Sequence, residues 1–203
     1  MLENNRLRAW VGENYNNVNR FHQKILVIGE SKHSAGVDYD NENLDTNIQV
    51  RDIEDYLENE HSSIMFYDWI GRLLDPEDSK DVWYDVAFTN LIHTILSNGK
   101  AQPTVEQIQD VNSFWNYLEE LSPDKIIICS SRMWKNWFYE HEYDERVECH
   151  TDTMVGISHI FTYSYTKGKA LAIGINHPYW NINNDDYQRR WRPEIVKFLE
   201  YAQ

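Results

Sequence analysis

The stretch KILVIGESKHSAG, Lys24 to Gly36, opens with four apolar residues in a row, Ile25 to Ile28, and turns polar after Gly29. A continuous Ile/Leu/Val run is the pattern of a strand covered on both faces, whereas alternation would mark a strand with one wet face. The expectation is a strand over 25–29 that breaks at Gly29. It then delivers Glu30, Ser31 and His33 to whatever lies beyond its carboxyl end.

Working outward, three more runs read as strands: VWYDVAFTN (82–90), KIIICS (125–130) and ALAIGIN (170–176). ISHIFTYSY (157–165) reads as an antiparallel partner of the last, joined to it through the turn Thr166-Lys167-Gly168. Between these runs, Ser62–Leu74, Thr104–Leu121, Ser131–Tyr139 and Tyr187–Tyr201 carry helical apolar stripes, with Trp69, Trp115 and Trp137 inside them as core residues. Pro103-Thr104 followed by Glu106 comes close to a capping box without its spacing. Strands alternating with helices predict a single α/β domain over 1–203, with a short, mainly parallel sheet between helical layers. In such sheets ligands lie beyond the carboxyl ends of the strands.

Composition limits the classes of function. At 203 residues, 41% hydrophobic and 26% charged, the chain suits one sizeable core. No apolar run approaches a membrane span and MLENNRLRAW lacks a signal-peptide core, so the expectation is a cytoplasmic protein without a membrane partner. Two cysteines, Cys129 and Cys149, support neither a disulfide framework nor a cysteine-rich metal site; they read as free thiols. A formal charge of −14 repels phosphate at long range. Nucleic-acid binding would therefore need a local basic surface. The candidates are Lys24, Lys32, Arg132, Lys135, Lys167, Lys169, Arg189, Arg190 and Arg192, and scattered solvated charges explain them equally well.

Three strand ends carry residues able to do chemistry: Gly29, Glu30, Ser31 and His33 after the first, Thr89-Asn90 at the second, and Asn176-His177-Pro178-Tyr179-Trp180 after the last. Singly, each has a plainer role as cap, turn former or loop opening. Together an amide, an imidazole and a carboxylate offer both hydrogen-bonding faces and charge stabilisation to a small planar ligand.

With ILVIGES, VAFTN, LSPDKIIICSSRMW and INHPYW in that order, the chain resembles the uracil-DNA glycosylase superfamily. The resemblance runs from the first strand to near the C-terminus and rests on the ordered set, since no one motif is specific. It implies a three-layer α/β/α sandwich and a monomeric enzyme that flips a nucleotide out of DNA and hydrolyses its N-glycosidic bond. By the same resemblance Asn90 reads the edge of the flipped base and His177 stabilises charge on the leaving base. Pro178, Tyr179 and Trp180 lie on the loop that meets the minor groove. Gly29, Ser31 and His33 border the base. The iron–sulfur branch needs four cysteines, so the implied branch carries no metal or other cofactor.

Two departures stand out. Uracil-specific members carry an Asp two positions after the motif glycine, where this chain has Ser31, and a bulky Tyr where it has His33. Three arrangements remain open for the water: Glu30 positions it, Asp38 or Asp40 does, or catalysis relies on charge stabilisation alone. The smaller ring at His33 leaves room for a larger base, so a bulky 5-substituted pyrimidine is the expected target ahead of uracil. The resemblance permits a role in antiphage defence. Two rival readings are a non-catalytic base- or protein-binding module on the same fold and a GDSL-type esterase with Ser31 as nucleophile. The esterase reading needs an Asp three residues before His177, and that residue is Gly174.

Overall fold

A computed structural model describes residues 6–33, 45–59, 65–97, 101–109, 113–138, 145–149, 158–178 and 183–201. Along the chain the elements are β1 (Trp10–Val11), β2 (Ile25–His33), α1 (Ile48–Glu58), α2 (Met65–Leu74), a 3₁₀ turn (Asp81–Tyr84), β3 (Val86–Leu96), α3 (Val105–Gln109) and α4 (Ser113–Leu121). They continue as β4 (Lys125–Ile128), α5 (Ser131–Met133) running into a π-helical turn (Trp134–Phe138), β5 (Glu145–Cys149), β6 (Ser158–Tyr165), β7 (Gly168–Gly174) and α6 (Asn184–Glu200).

Among the described residues the strands form one seven-stranded sheet in the order β1-β3-β2-β4-β7-β6-β5. Its centre, β3-β2-β4-β7, is parallel, and β1, β6 and β5 join antiparallel. The expected mainly parallel sheet is therefore a mixed one. The turn between β6 and β7 is too short for anything but an antiparallel return, which fixes that flank.

The unbroken apolar run of β2 has a direct cause. Leu26 and Ile28 pack with Phe114, Tyr117 and Leu118 of α4 and with Met133 and Phe138. Ile25 and Val27 face the other way, against Ile53 of α1, Tyr67, Ile70 and Leu73 of α2, and Trp191, Ile195 and Phe198 of α6. Helices thus cover both sides of the sheet, and neither face of β2 is left for polar side chains between Ile25 and Ile28. Trp69 is buried in the second core and Trp115 packs against the first; the Trp137 side chain lies outside the described residues.

Several boundaries differ from expectation. β2 does not break at Gly29 but continues to His33, because β3 also runs on to Leu96 and the two pair through Gly29↔Asn90, Ser31↔Ile92 and His33↔Leu96. A register shift between Ser31 and His33 marks a bulge in this extension. Cross-strand pairing here overrides the polar sequence. β4 and β7 stop earlier, at Ile128 and Gly174, so β2 and β3 project past them as a two-stranded ribbon. Val82 to Tyr84 belong to the 3₁₀ turn rather than to a strand. The expected helix over 104–121 consists of α3 and α4. Its start is a capping box after all: the Thr104 amide donates to Gln107 Oε1 (2.8 Å) and the Gln107 amide to Thr104 Oγ1 (3.2 Å), with Gln107 in the role sought for Glu106.

Candidate functional site

The chain leaves β2 to form β3 on one side and β4 on the other, so the strand order reverses at β2. A crevice opens at such a reversal, outside the carboxyl ends of the strands. Gly29 and Glu30 stand at this point, with Asn90 beside them on β3 and Ser130 just beyond β4.

Asn90 is buried, and its side chain lies across the bare face of Gly29. A Cβ on Gly29 would come within 2.2 Å of Asn90 Oδ1 and 3.4 Å of the Phe88 ring. Among the described residues the outer edge of β3 has no strand partner at this height, since β1 pairs with Ala87 and Phe88. Gln49 of α1, fully buried, takes that place. Its Oε1 accepts from the Asn90 amide (3.0 Å) and from Asn90 Nδ2 (3.4 Å), while its Nε2 donates to the Arg8 carbonyl (2.6 Å) and Thr89 Oγ1 (3.1 Å). The Asn90 amide is thereby oriented before any ligand arrives.

Glu30 is also buried, and both of its oxygens are engaged. Oε2 accepts from Ser130 Oγ (2.7 Å) and Arg132 Nε (3.0 Å), and Oε1 accepts from Arg132 Nη2, which makes the arginine contact bidentate. Ser130 is the N-cap of α5, where its Oγ accepts from the Met133 amide (3.1 Å). The cap thus ties the start of α5 to the carboxylate on β2.

His177 follows β7, held by the Ile175 amide on the Ile128 carbonyl (2.8 Å) and by the Tyr187 hydroxyl on the Asn176 carbonyl (2.8 Å). Its ring lies 5.3 Å from that of Phe66, and Phe66 in turn lies 5.5 Å from Phe88 of β3. Burial pushes the imidazole pKa down to about 4; the Glu30 charge opposes this, while His33 and Arg132 add to it. His177 is therefore neutral at pH 7. Three strand spacings separate Asn90 from the end of β7, roughly 14 Å at the backbone. Phe66 links the two sides, its ring against Phe88 of β3 and against His177.

Ser31 Oγ is buried and has no hydrogen-bond partner among the described residues. His33 closes β2, half-buried, near enough to His177 to influence its charge. Pro178 is buried. Tyr179, Trp180, Asp38 and Asp40 lie outside the described residues. Gly29, Glu30, Asn90 and His177 thus come to the same end of the sheet. Gln49, Phe66 and the coupling of Ser130 and Arg132 to Glu30 were missed from sequence. Only Phe66, in an aromatic-rich segment, carried a signal that could have been followed.

Several of the candidate cations have partners within the protein. Lys32 pairs with Asp52, Arg189 with Asp186 (2.9 Å), and Arg192 donates to the Arg72 carbonyl (2.9 Å). Cys129 is buried and its thiol pKa is pushed up by burial, which makes it inert. Among the described residues no group of His, Cys, Asp and Glu gathers to hold a metal ion, and no helix is long and apolar enough to cross a membrane. At the opposite end of the sheet a surface depression is lined by Glu13, Asn14, Arg20, Asp81 and Tyr84. Arg20 there is tied to Asp85 (2.5 Å) and Asp75 (2.8 Å), so that depression is a structural ion cluster.

No protein-family model matches the chain, and no curated protein matches it. Among solved structures it is similar to a domain of unknown function (DUF1537) from Bordetella bronchiseptica, crystallised with bound citrate as a domain-swapped dimer. The identity is 7% and the TM-score 0.37, over 84% of this chain and 41% of that one.

Proposed function

We propose that the protein is a DNA glycosylase with a uracil-DNA glycosylase-like fold that flips out a pyrimidine and hydrolyses its N-glycosidic bond, preferring a bulky 5-substituted base to uracil. The observation that carries this reading is the convergence of a pre-oriented amide, Asn90, and a neutral imidazole, His177, on one crevice with an aromatic wall, Phe66, between them. In this mechanism Phe66 offers a face for stacking and Asn90 reads the base edge. The His177 N–H donates to the carbonyl oxygen on which charge grows as the base departs. A donor of this kind is worth about 3 kcal/mol of barrier, or 10² to 10³ in rate.

Glu30 acts differently from a free base in this scheme. Its oxygens already accept three hydrogen bonds and Arg132 offsets its charge, so it serves to hold Ser130 and Arg132 in place rather than as the group that deprotonates water. Of the three arrangements open from the sequence this leaves two, a water positioned by Asp38 or Asp40 and catalysis by charge stabilisation alone.

The test is incubation with DNAs bearing uracil, hypoxanthine and 5-substituted pyrimidines, with released bases identified by mass, for the wild-type protein and His177→Ala. Release lost in the variant while DNA binding persists would support the scheme. A second reading, a non-catalytic module that binds bases or proteins, draws on the charge of −14 and on the internal pairing of Lys32, Arg189 and Arg192. No release from any substrate by the intact protein would favour it. The esterase reading loses further ground, because a Cβ at Gly174 would lie 2.3 Å from the Trp134 ring and an Asp has no room there.

A further inference from the structure

The Glu30–Arg132 pair is lopsided, and the side that faces water belongs to the arginine. The Glu30 side chain is 10% exposed and that of Arg132 28%. Nε and Nη2 of the guanidinium are spent on the carboxylate, and Nη1 has no acceptor among the described residues. Arginine carries five N–H donors in a rigid plane, so a fork anchored along one edge presents the remaining donors in a fixed direction. Anchoring has an energetic consequence: the rotamer entropy an arginine loses when it grips a ligand has already been lost here, to Glu30. Ser130, capping α5 and donating to the same carboxylate, holds the pair from a second element. Bonded to Glu30, next to Gly29 where the strand order reverses, the guanidinium lies beside the crevice.

We propose that Arg132 is an oxyanion-binding residue of this site, set in position by Glu30 and Ser130, and that the oxyanion it takes is a backbone phosphodiester flanking the extruded nucleotide. The proposal rests on the glycosylase reading for the identity of the oxyanion, while the geometry of the arginine stands apart from it. Because Glu30 cancels the arginine charge, recognition here is by directed donors more than by net attraction. That is the kind of contact a chain of charge −14 can make with DNA without a broad basic patch.

Two measurements test it. Titration of the intact protein with inorganic phosphate, followed through the Arg132 side-chain N–H resonances in NMR, should shift those signals saturably. Binding of a DNA oligonucleotide lacking any target base should weaken at least threefold in Arg132→Gln at fixed salt, with the log–log salt slope changing by less than one phosphate contact's share of about 0.9. Since Arg132→Gln strands a buried carboxylate, the double variant Glu30→Gln/Arg132→Gln is measured alongside and should also lose affinity while folded. Arg132→Lys should recover part of the affinity, a point charge replacing a fork. Shifted resonances in a protein with no affinity for DNA would overturn the phosphodiester and the glycosylase reading together while leaving an anion site. Unshifted resonances with an unchanged affinity would overturn the proposal and leave base release untouched.

Discussion

Asn90 Oδ1 sits 2.2 Å from where a Cβ on Gly29 would stand, so the glycine is the floor on which the amide lies. This close approach, more than any need for an unusual backbone angle, accounts for a glycine in mid-strand.

Gly29→Ala should therefore push the Asn90 amide off its seat and away from Gln49. Overpacking of this kind costs about 1–3 kcal/mol. Base release should fall at least tenfold while the protein stays folded, since a displaced reading group harms positioning more than stability. Release rates read beside the denaturation midpoint would check this, and unchanged release in a folded variant would remove Asn90 from the site.

Glu30 and Arg132 should behave as a unit in stability. Removing one partner strands a mostly buried charge, at about 3–5 kcal/mol in the dry limit and about 2–3 here because Arg132 keeps some solvent. Glu30→Gln/Arg132→Gln should cost less than the sum of the single changes. A double-mutant cycle by chemical denaturation with no coupling would mean the pair is not formed in solution.

His177 should shape the acid limb of the stability curve. Its pKa is near 4 in the folded protein and about 6.5 in the unfolded chain, so between these values the unfolded state binds the extra proton. Stability is then complete above about pH 6.5 and falls as pH drops toward 4. The loss is up to about 3 kcal/mol, and about 2 after allowance for partial contact with solvent. His177→Phe, which can still pack on Phe66, should flatten that limb. An identical pH dependence in both proteins would show that the imidazole stays wet.

How much of this could be read beforehand varies by residue. The parallel strands were legible because Ile25 to Ile28 and Ile126 to Ile128 are buried on both faces and need continuous apolar sequence. The ribbon beyond Gly29 was not, since Glu30 to His33 are polar and their pairing with β3 comes from the neighbour. Helix α1 escaped notice for a related reason: it buries only Ile48, Gln49, Ile53 and Tyr56, too sparse a stripe to rise above a polar segment. Gly29, Glu30, Asn90 and His177 stood out as the polar or small residues that follow apolar runs, but Gly29, Glu30 and Asn90 lie within β2 and β3 rather than at strand ends. Their partners were not legible, because Gln49 and Arg132 reach the site from helices 41 and 102 residues away.

His33 bears on the choice of base. It ends β2 beyond the bulge, half-buried, and its charge bears on that of His177. Under the proposed glycosylase reading a Tyr there would extend further and close the space beside a 5-substituent. His33→Tyr should then suppress release of a bulky 5-substituted pyrimidine by at least tenfold and leave uracil release within about threefold, because exclusion from a packed pocket outweighs the loss of one weak contact. The same experiment reads the wild-type preference directly. Robust release of uracil with no activity on any substituted pyrimidine would defeat the wide-pocket argument and leave the roles of Asn90 and His177 as proposed.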